Sequence, residues 1–390
     1  MSSNTLPSSA GPSSGGSSPA GSAGKVTMIL PHREAFGPSA AGAVAMVVRR
    51  LAAGPSRYKA LVVGPPFQGP GFPGIPFLPA RRLAWLPLTQ TQQYAAAVAR
   101  VLAPLPPGLI EVHNKPDVAL WLARLFPRRR VSLFLHNDPR TMRGARSPRA
   151  RRRLLDRLAQ VVTVSDFLRR ALLDGVTRAP GRAPLVIHNA LDLAEVPDGL
   201  PPQLREKVIL FVGRVVPDKG PDLFIAACAK AIPGLPGWRA EMIGADGFSA
   251  GAPDTDFIRG LRPAAAAAGV VLHGAWPHPE VLRAMARAAI VVVPSRWSEP
   301  FGLTALEAMA CGAALVCSGR GGLSEVAGNA GLLVDPEDLG AFAKALLRLA
   351  GDAGLRASLS SAGLERVRSQ FSVVDAIARL DGLRDQASIS

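Results

Sequence analysis

Glu299 and Glu307 stand eight residues apart in SEPFGLTALEAMACG, around the start of a helix expected over about 301–311. Free backbone N–H groups at such a start, here those of Phe301, Gly302 and Leu303, favour an anion. Glu307 follows Leu303 by four residues and precedes Ala310 by three, so its carboxylate lies on or beside the buried stripe. A buried carboxylate needs donors, and sugar hydroxyls would supply them. The blander readings are that Glu299 complements the helix N-terminus and that Glu307 pairs with a nearby Arg.

A second group lies in FVGRVVPDKG (211–220). Arg214 past a strand end and Lys219 before a helix suit a phosphate. Gly213 and Gly220 let backbone come close to a ligand. An ordinary basic loop with glycine turns fits the spacing equally well. Neither GxGxxG nor GxxxxGK[ST] occurs there, which excludes a dinucleotide fingerprint and a P-loop. SGRGGLSEVAG (318–328) adds a tight loop at Gly319, Gly321 and Gly322 before Glu325. His113 and His136 each close an apolar run, where α/β folds bind ligands. Arg140–Arg157 holds eight Arg and one acid, Asp156. It reads as a solvated helix and loop, or as a surface for acidic headgroups or a phosphorylated acceptor.

The elements that must position these residues are short apolar runs rich in Val, Ile and Leu. In the first half they are 26–30, 60–63, 109–112, 131–135, 161–164 and 185–187. In the second they are 208–212, 240–243, 270–273, 290–293, 314–317 and 332–334. They are continuous rather than alternating, as strands buried on both faces of a parallel sheet are. Longer amphipathic stretches separate them, so the class is α/β. Residues 189–206, with Pro197, Gly199, Pro201 and Pro202, read as an interdomain linker. Two doubly wound domains result, 25–190 and 191–370, and their cleft is the expected site. Residues 1–24, with nine Ser and no charge, are expected to be a flexible tail.

The 390 residues are 48% hydrophobic, which excludes a mainly disordered chain. The formal charge of +16 falls entirely in residues 1–200, which hold 26 Lys plus Arg against 10 Asp plus Glu. That argues for an anionic partner on the first domain, while a biased genome would also raise Arg together with the high Ala, Gly and Pro. At 5% aromatic residues without interleaving, a nucleic-acid stacking platform is not expected. Cys228, Cys311 and Cys317 lack metal-ligand spacing. No run of eighteen apolar residues and no basic, apolar leader is present, so the cytoplasm is the expected location.

GRVVPDKG (213–220), EPFGLTALEAMACG (299–312) and GRGGLSEV (319–326) resemble the donor site of family 4 retaining glycosyltransferases, which have the GT-B fold. The match is strong from 208 to 336 and looser from residue 25, through the strand-end histidines, VTVSDFLRRAL and IHNALDL. The resemblance implies that Arg214 and Lys219 hold the diphosphate of a UDP- or GDP-sugar, with Gly213, Gly321 and Gly322 close by. It implies that Glu307 binds ribose hydroxyls and Glu299 those of the donor sugar, beside Phe301, Gly302 and Leu303. His136 would sit near the transferred sugar, with Gly42 and His113 on the acceptor side, and residues 371–390 would be a helix returning to the first domain. The implied chemistry uses no metal and no cofactor beyond the donor. The implied acceptor is a glycan or lipid-linked, with Arg140–Arg157 meeting an anionic membrane at the inner face and the product serving lipopolysaccharide or polysaccharide synthesis. One departure is the first loop, GPSAAGA (37–43), where the family has a Gly-Gly pair. Asp254-Thr255-Asp256 has no strand before it and is not read as a metal motif. A nonhydrolysing nucleotide-sugar epimerase, and a nucleic-acid- or carbohydrate-binding protein without catalysis, are the rival readings.

Overall fold

The computed structural model describes residues 24–389, apart from 39, 40, 86, 178–180 and 247–254. The expected tail therefore lies outside the described residues, except Gly24, which opens the first strand; Asp254 lies outside them too.

All twelve apolar runs form strands. β1 (Gly24–Ile29), β2 (Tyr58–Gly64), β3 (Phe77–Pro79), β4 (Leu109–His113), β5 (Val131–Leu135), β6 (Gln160–Thr163) and β7 (Leu185–Val186) make one sheet, ordered β3-β2-β1-β4-β5-β6-β7. The second sheet contains β8 (Glu206–Val212), β9 (Arg239–Ile243), β10 (Val270–Gly274), β11 (Ala288–Val293), β12 (Ala314–Cys317) and β13 (Gly331–Leu333), ordered β10-β9-β8-β11-β12-β13. Every pairing is parallel, which explains why the runs carry no alternation. β3 was not expected: it is a three-residue edge strand in a Gly/Pro-rich stretch, where a proline is tolerated.

Strand order reverses between β1 and β4, and again between β8 and β11. A crevice opens beyond the carboxyl ends of the strands at each reversal. Helices cover both faces of both sheets, in four apolar clusters. The linker becomes two short 3₁₀ turns, Leu193–Glu195 and Pro202–Leu204.

The last helix, Val373–Ile389, belongs to the first domain's core. Ile377 and Leu380 pack with Val26, Met28 and Val62. Arg384 donates to both oxygens of Glu111 in β4, at 2.8 and 3.0 Å, with both side chains buried. This pair accounts for a carboxylate inside the apolar run LIEV. Removing one partner of such a pair costs about 3–5 kcal/mol.

Candidate functional site

A cleft of about 670 Å³ lies between the two reversal points. Pro31 and Arg33 reach it from the end of β1, Asn114 and Lys115 from β4, and His136 from β5. Arg214 reaches it from β8, and Val293, Trp297 and Glu299 from β11.

The second-domain wall is two loops tied together. Arg296 donates its backbone N–H to the Asp218 carbonyl at 2.9 Å and both Nη atoms to Asp222 at 2.6 Å. Gly220 has φ +68, and a Cβ there would stand 2.2 Å from the Pro294 carbonyl oxygen, so only glycine lets these loops touch. This contact sets Lys219 Nζ 2.5 Å from Glu299 Oε1, which also accepts from Ser295 Oγ at 2.6 Å. Lys219 lies over the Trp297 ring, 5.2 Å from its centroid.

The expected helix starts at Leu303 rather than Phe301 and runs to Ala310. Gly302 has φ +115, which no helix accommodates, and a Cβ there would meet Leu323 Cδ2 at 2.6 Å. Phe301, Gly302, Leu303 and Thr304 all line the cleft, so the helix start faces the position beside Arg214 and Lys219.

Gly321 and Gly322 need correcting. They do not line the cleft; they lie under the Ser298–Phe301 loop. A Cβ on Gly321 would be 2.4 Å from the Glu299 carbonyl oxygen, and Gly322 donates to that same oxygen at 2.6 Å. Their missing side chains clear the way for backbone, and they hold Glu299 in place. Gly213 is likewise packed against Gly244, whose Cβ would stand 1.8 Å from the Gly213 carbonyl oxygen, and only its neighbour Arg214 reaches the cleft.

Glu307 sits one turn into the helix, outside the cleft lining. Its Oε1 accepts from Arg50 Nη2 at 3.2 Å and His278 Nε2 at 3.0 Å. Burial pushes this carboxyl up, but the His278 hydrogen bond and charge, together with Arg50, outweigh it and hold the group below the usual range. Arg50, from the Ala43–Ala53 helix of the first domain, was not singled out from sequence. The bland reading, a pair with an arginine, is therefore realised, across the domain boundary.

His136 faces the cleft, whereas His113 is fully buried behind it, with His113 Nδ1 3.0 Å from His136 Nε2. The acceptor-side position expected for His113 is thus corrected to a support for His136. Burial lowers the His136 pKa to about 4 and that of His113 well below its ordinary value. Both rings are neutral at pH 7, and His136 Nδ1 is the nitrogen left for a substrate. Unfolded histidines protonate near pH 6.5, so stability should fall as pH drops from 6.5 toward 4, by up to about 1.4 kcal/mol per unit for His136, with His113 acting in the same direction. Denaturant titrations at pH 7.5, 6 and 5 check this. His113→Phe should flatten the trend, and pH-independent midpoints in the wild type would contradict it.

Gly42 does line the cleft, yet the space of its absent Cβ is taken by Glu34, whose Oε2 would lie 2.6 Å away. Burial pushes the Glu34 carboxyl up, against backbone hydrogen bonds from Ala45 and Gly42. Glu34 Oε2 is itself buried without a hydrogen-bond partner.

The domains touch through more than Arg50. Glu325 accepts from the backbone of Asp166 and Phe167 at 2.7 and 2.5 Å, at the start of the Asp166–Leu173 helix. Ser165 Oγ donates to the Pro300 carbonyl at 2.6 Å. Among the described residues, Asp166, His188 and Glu325 are the one cluster close enough to share a metal ion, but those two backbone bonds already engage Glu325.

The basic stretch is partly internal. Arg151 is buried, donating to the carbonyls of Leu172, Ala145 and Arg146. Arg140 pairs with Asp138, and Arg152 with Asp156. Arg149, Arg153 and Arg157 are exposed. No helix among the described residues is long and apolar enough to cross a membrane.

Residues 195–366 match the family model described as Glycosyl transferases group 1. A Bacillus subtilis protein named as a glycosyltransferase, YtcC, is 26% identical over 310 residues, covering 74% of this chain and 75% of that protein. A D-inositol 3-phosphate glycosyltransferase from Acidothermus cellulolyticus is 41% identical over 158 residues, 39% of this chain and 35% of that protein. Among solved structures, sucrose-phosphate synthase from Thermosynechococcus elongatus superposes with a TM-score of 0.73 at 21% identity, covering 94% of this chain and 99% of that one. Anabaena HepE in complex with UDP gives 0.73 at 21% identity, covering 92% and 98%. The fold is GT-B, two parallel-sheet Rossmann-like domains about a cleft.

Proposed function

From the family match over residues 195–366 and the GT-B fold, which together support a glycosyltransferase, we infer a retaining enzyme that moves a sugar from a nucleotide-diphosphate donor to an acceptor. The observation that carries this reading is the meeting of Arg214, Lys219, Glu299 and the start of the Leu303–Ala310 helix on one wall, opposite His136 on the other. Anabaena HepE, which shares the fold, binds UDP, and this supports a uridine or related diphosphate donor.

In the proposed reaction the bond from the anomeric carbon to the leaving phosphate breaks. The acceptor oxygen bonds to that carbon on the same face, and its proton passes to a phosphate oxygen. Negative charge grows on the departing diphosphate, where Arg214, Lys219 and the helix N–H groups stabilise it. Glu299 and neutral His136 hold donor-sugar hydroxyls. Glu307 offers its second oxygen to the ribose. No step passes through a metal ion, because fixed cations serve the phosphates. The acceptor is a glycan or lipid-linked molecule of the cell envelope, and Arg149, Arg153 and Arg157 suit an anionic membrane surface beside it.

Product analysis by NMR tests the reading. An α-linked donor should give an α-linked product, and donor supplied alone should not be converted to an epimer. Inversion at the anomeric carbon, or epimer formed without acceptor, would contradict it.

A further inference from the structure

We propose that the first-domain wall of the cleft binds the acceptor through a phosphate group, with Arg33, Lys115 and Arg143 as the ligands. This rests on the glycosyltransferase reading above and names the acceptor's chemical class.

All three side chains line the cleft on the wall facing Arg214 and Lys219. Arg33 follows β1 and Lys115 follows β4, so they flank the reversal point of the first sheet. Lys115 is only partly exposed, and burial pushes its ammonium pKa down; Asp117 opposes that push, and the Arg33 charge adds to it. Arg33 and Arg143 are exposed, and three like charges on one wall attract an anion.

Two carboxylates share this wall, and Glu34 Oε2 is buried without a hydrogen-bond partner. Glu34 is bonded to the backbone at the start of the Ala43–Ala53 helix. Asp117 Oδ1 accepts from the Val118 backbone at 3.0 Å, and its Oδ2 lies 3.8 Å from Arg143. Arg82 adds a further positive charge near His32, which also senses Lys115 and Arg33.

The backbone is committed to this arrangement. Asn114, just before Lys115, has φ +58, the one positive φ outside glycine among the described residues. Such a conformation costs roughly 1–2 kcal/mol. It is held by Asn114 Oδ1 accepting from the His136 backbone at 3.2 Å and by Asn114 N donating to the Phe134 carbonyl at 2.7 Å. The strain thus turns the chain at Lys115 while fixing His136 beside it, which couples the two positions. A phosphate, with two negative charges and three acceptor oxygens, matches three cations on one wall better than a neutral polyol does.

The experiment is a calorimetric titration of the UDP-saturated protein with glycerol 3-phosphate, and with glycerol as the neutral control. Vesicles containing phosphatidic acid form a second arm, which separates a lipid headgroup from a soluble phosphate. Wild type should bind one of the phosphate probes and not glycerol. Arg33→Gln and Lys115→Gln should each weaken that binding by about tenfold or more, equivalent to about 1.4 kcal/mol, and leave UDP affinity unchanged. Wild type binding neither phosphate probe, or variants binding it as tightly as wild type, would overturn the subsite. Loss of UDP binding in the wild type would overturn the donor reading beneath it, a separate outcome.

Discussion

Lys219→Ala should lower the transfer rate at saturating substrates by about 10²–10³-fold, measured below the melting temperature of a variant somewhat destabilised by the unpaired Glu299. Lys219 is held on the donor wall 2.5 Å from Glu299 and over the Trp297 ring. Glu299 neutralises it, and Ser295 shares the same carboxylate oxygen. A departing diphosphate would compete with Glu299 for this charge, most strongly when its own charge is greatest. Loss of one preorganised donor to such a group typically costs about 2.7–4 kcal/mol of transition-state stabilisation. The effect should therefore appear in kcat more than in donor KM. Glu299 keeps its Ser295 bond in the variant, so the fold should survive. Steady-state rates together with a thermal melt check this, and a variant turning over at the wild-type rate would contradict it.

Glu307→Ala should do two things at once: weaken donor binding by about tenfold or more and destabilise the fold by about 3–5 kcal/mol. The second effect follows from Arg50. This guanidinium is 6% exposed, and its Nε and Nη1 are buried without hydrogen-bond partners. Glu307 supplies its charge partner, and breaking a buried pair leaves the other charge uncompensated. Donor binding and folding can be separated with a second variant. Arg50→Met combined with Glu307→Gln removes both charges while keeping the volume, so stability should recover most of the loss. Donor affinity should stay low, since an amide accepts fewer hydroxyl bonds than a carboxylate. Denaturant melts and donor titrations of both variants read the two effects independently. A double variant with wild-type donor affinity would remove Glu307 from the donor site and leave it only a structural role.

The parallel sheets were legible because doubly buried strands leave unbroken apolar runs. Lys219 and Glu299 were legible for a related reason: both lie in loops that follow central strands and border the crevice. For Gly321 and Gly322 the purpose was not legible, because a glycine clears space without saying for what, and here the space is needed by the backbone of Glu299. Arg50, Glu34 and Lys115 gave no local signal. Arg50 meets Glu307 across 257 residues of sequence, and its type is ordinary on a helix. Asn114 has the residue type that best tolerates a left-handed conformation, and its place directly after His113 was the one clue to a strained strand end. Arg151 shows the converse limit, since an arginine in a charge run can be the residue that satisfies four carbonyls inside the fold.

The most direct measurement on the donor cleft is a calorimetric titration of UDP and of GDP into the wild type and Lys219→Ala. One of the two nucleotides should bind the wild type at a single site, and bind the variant at least about tenfold more weakly, the loss expected when a charge-assisted contact to phosphate goes. Failure of both nucleotides to bind, or equal affinity in the two proteins, would contradict the assignment of this cleft to a nucleotide-diphosphate donor.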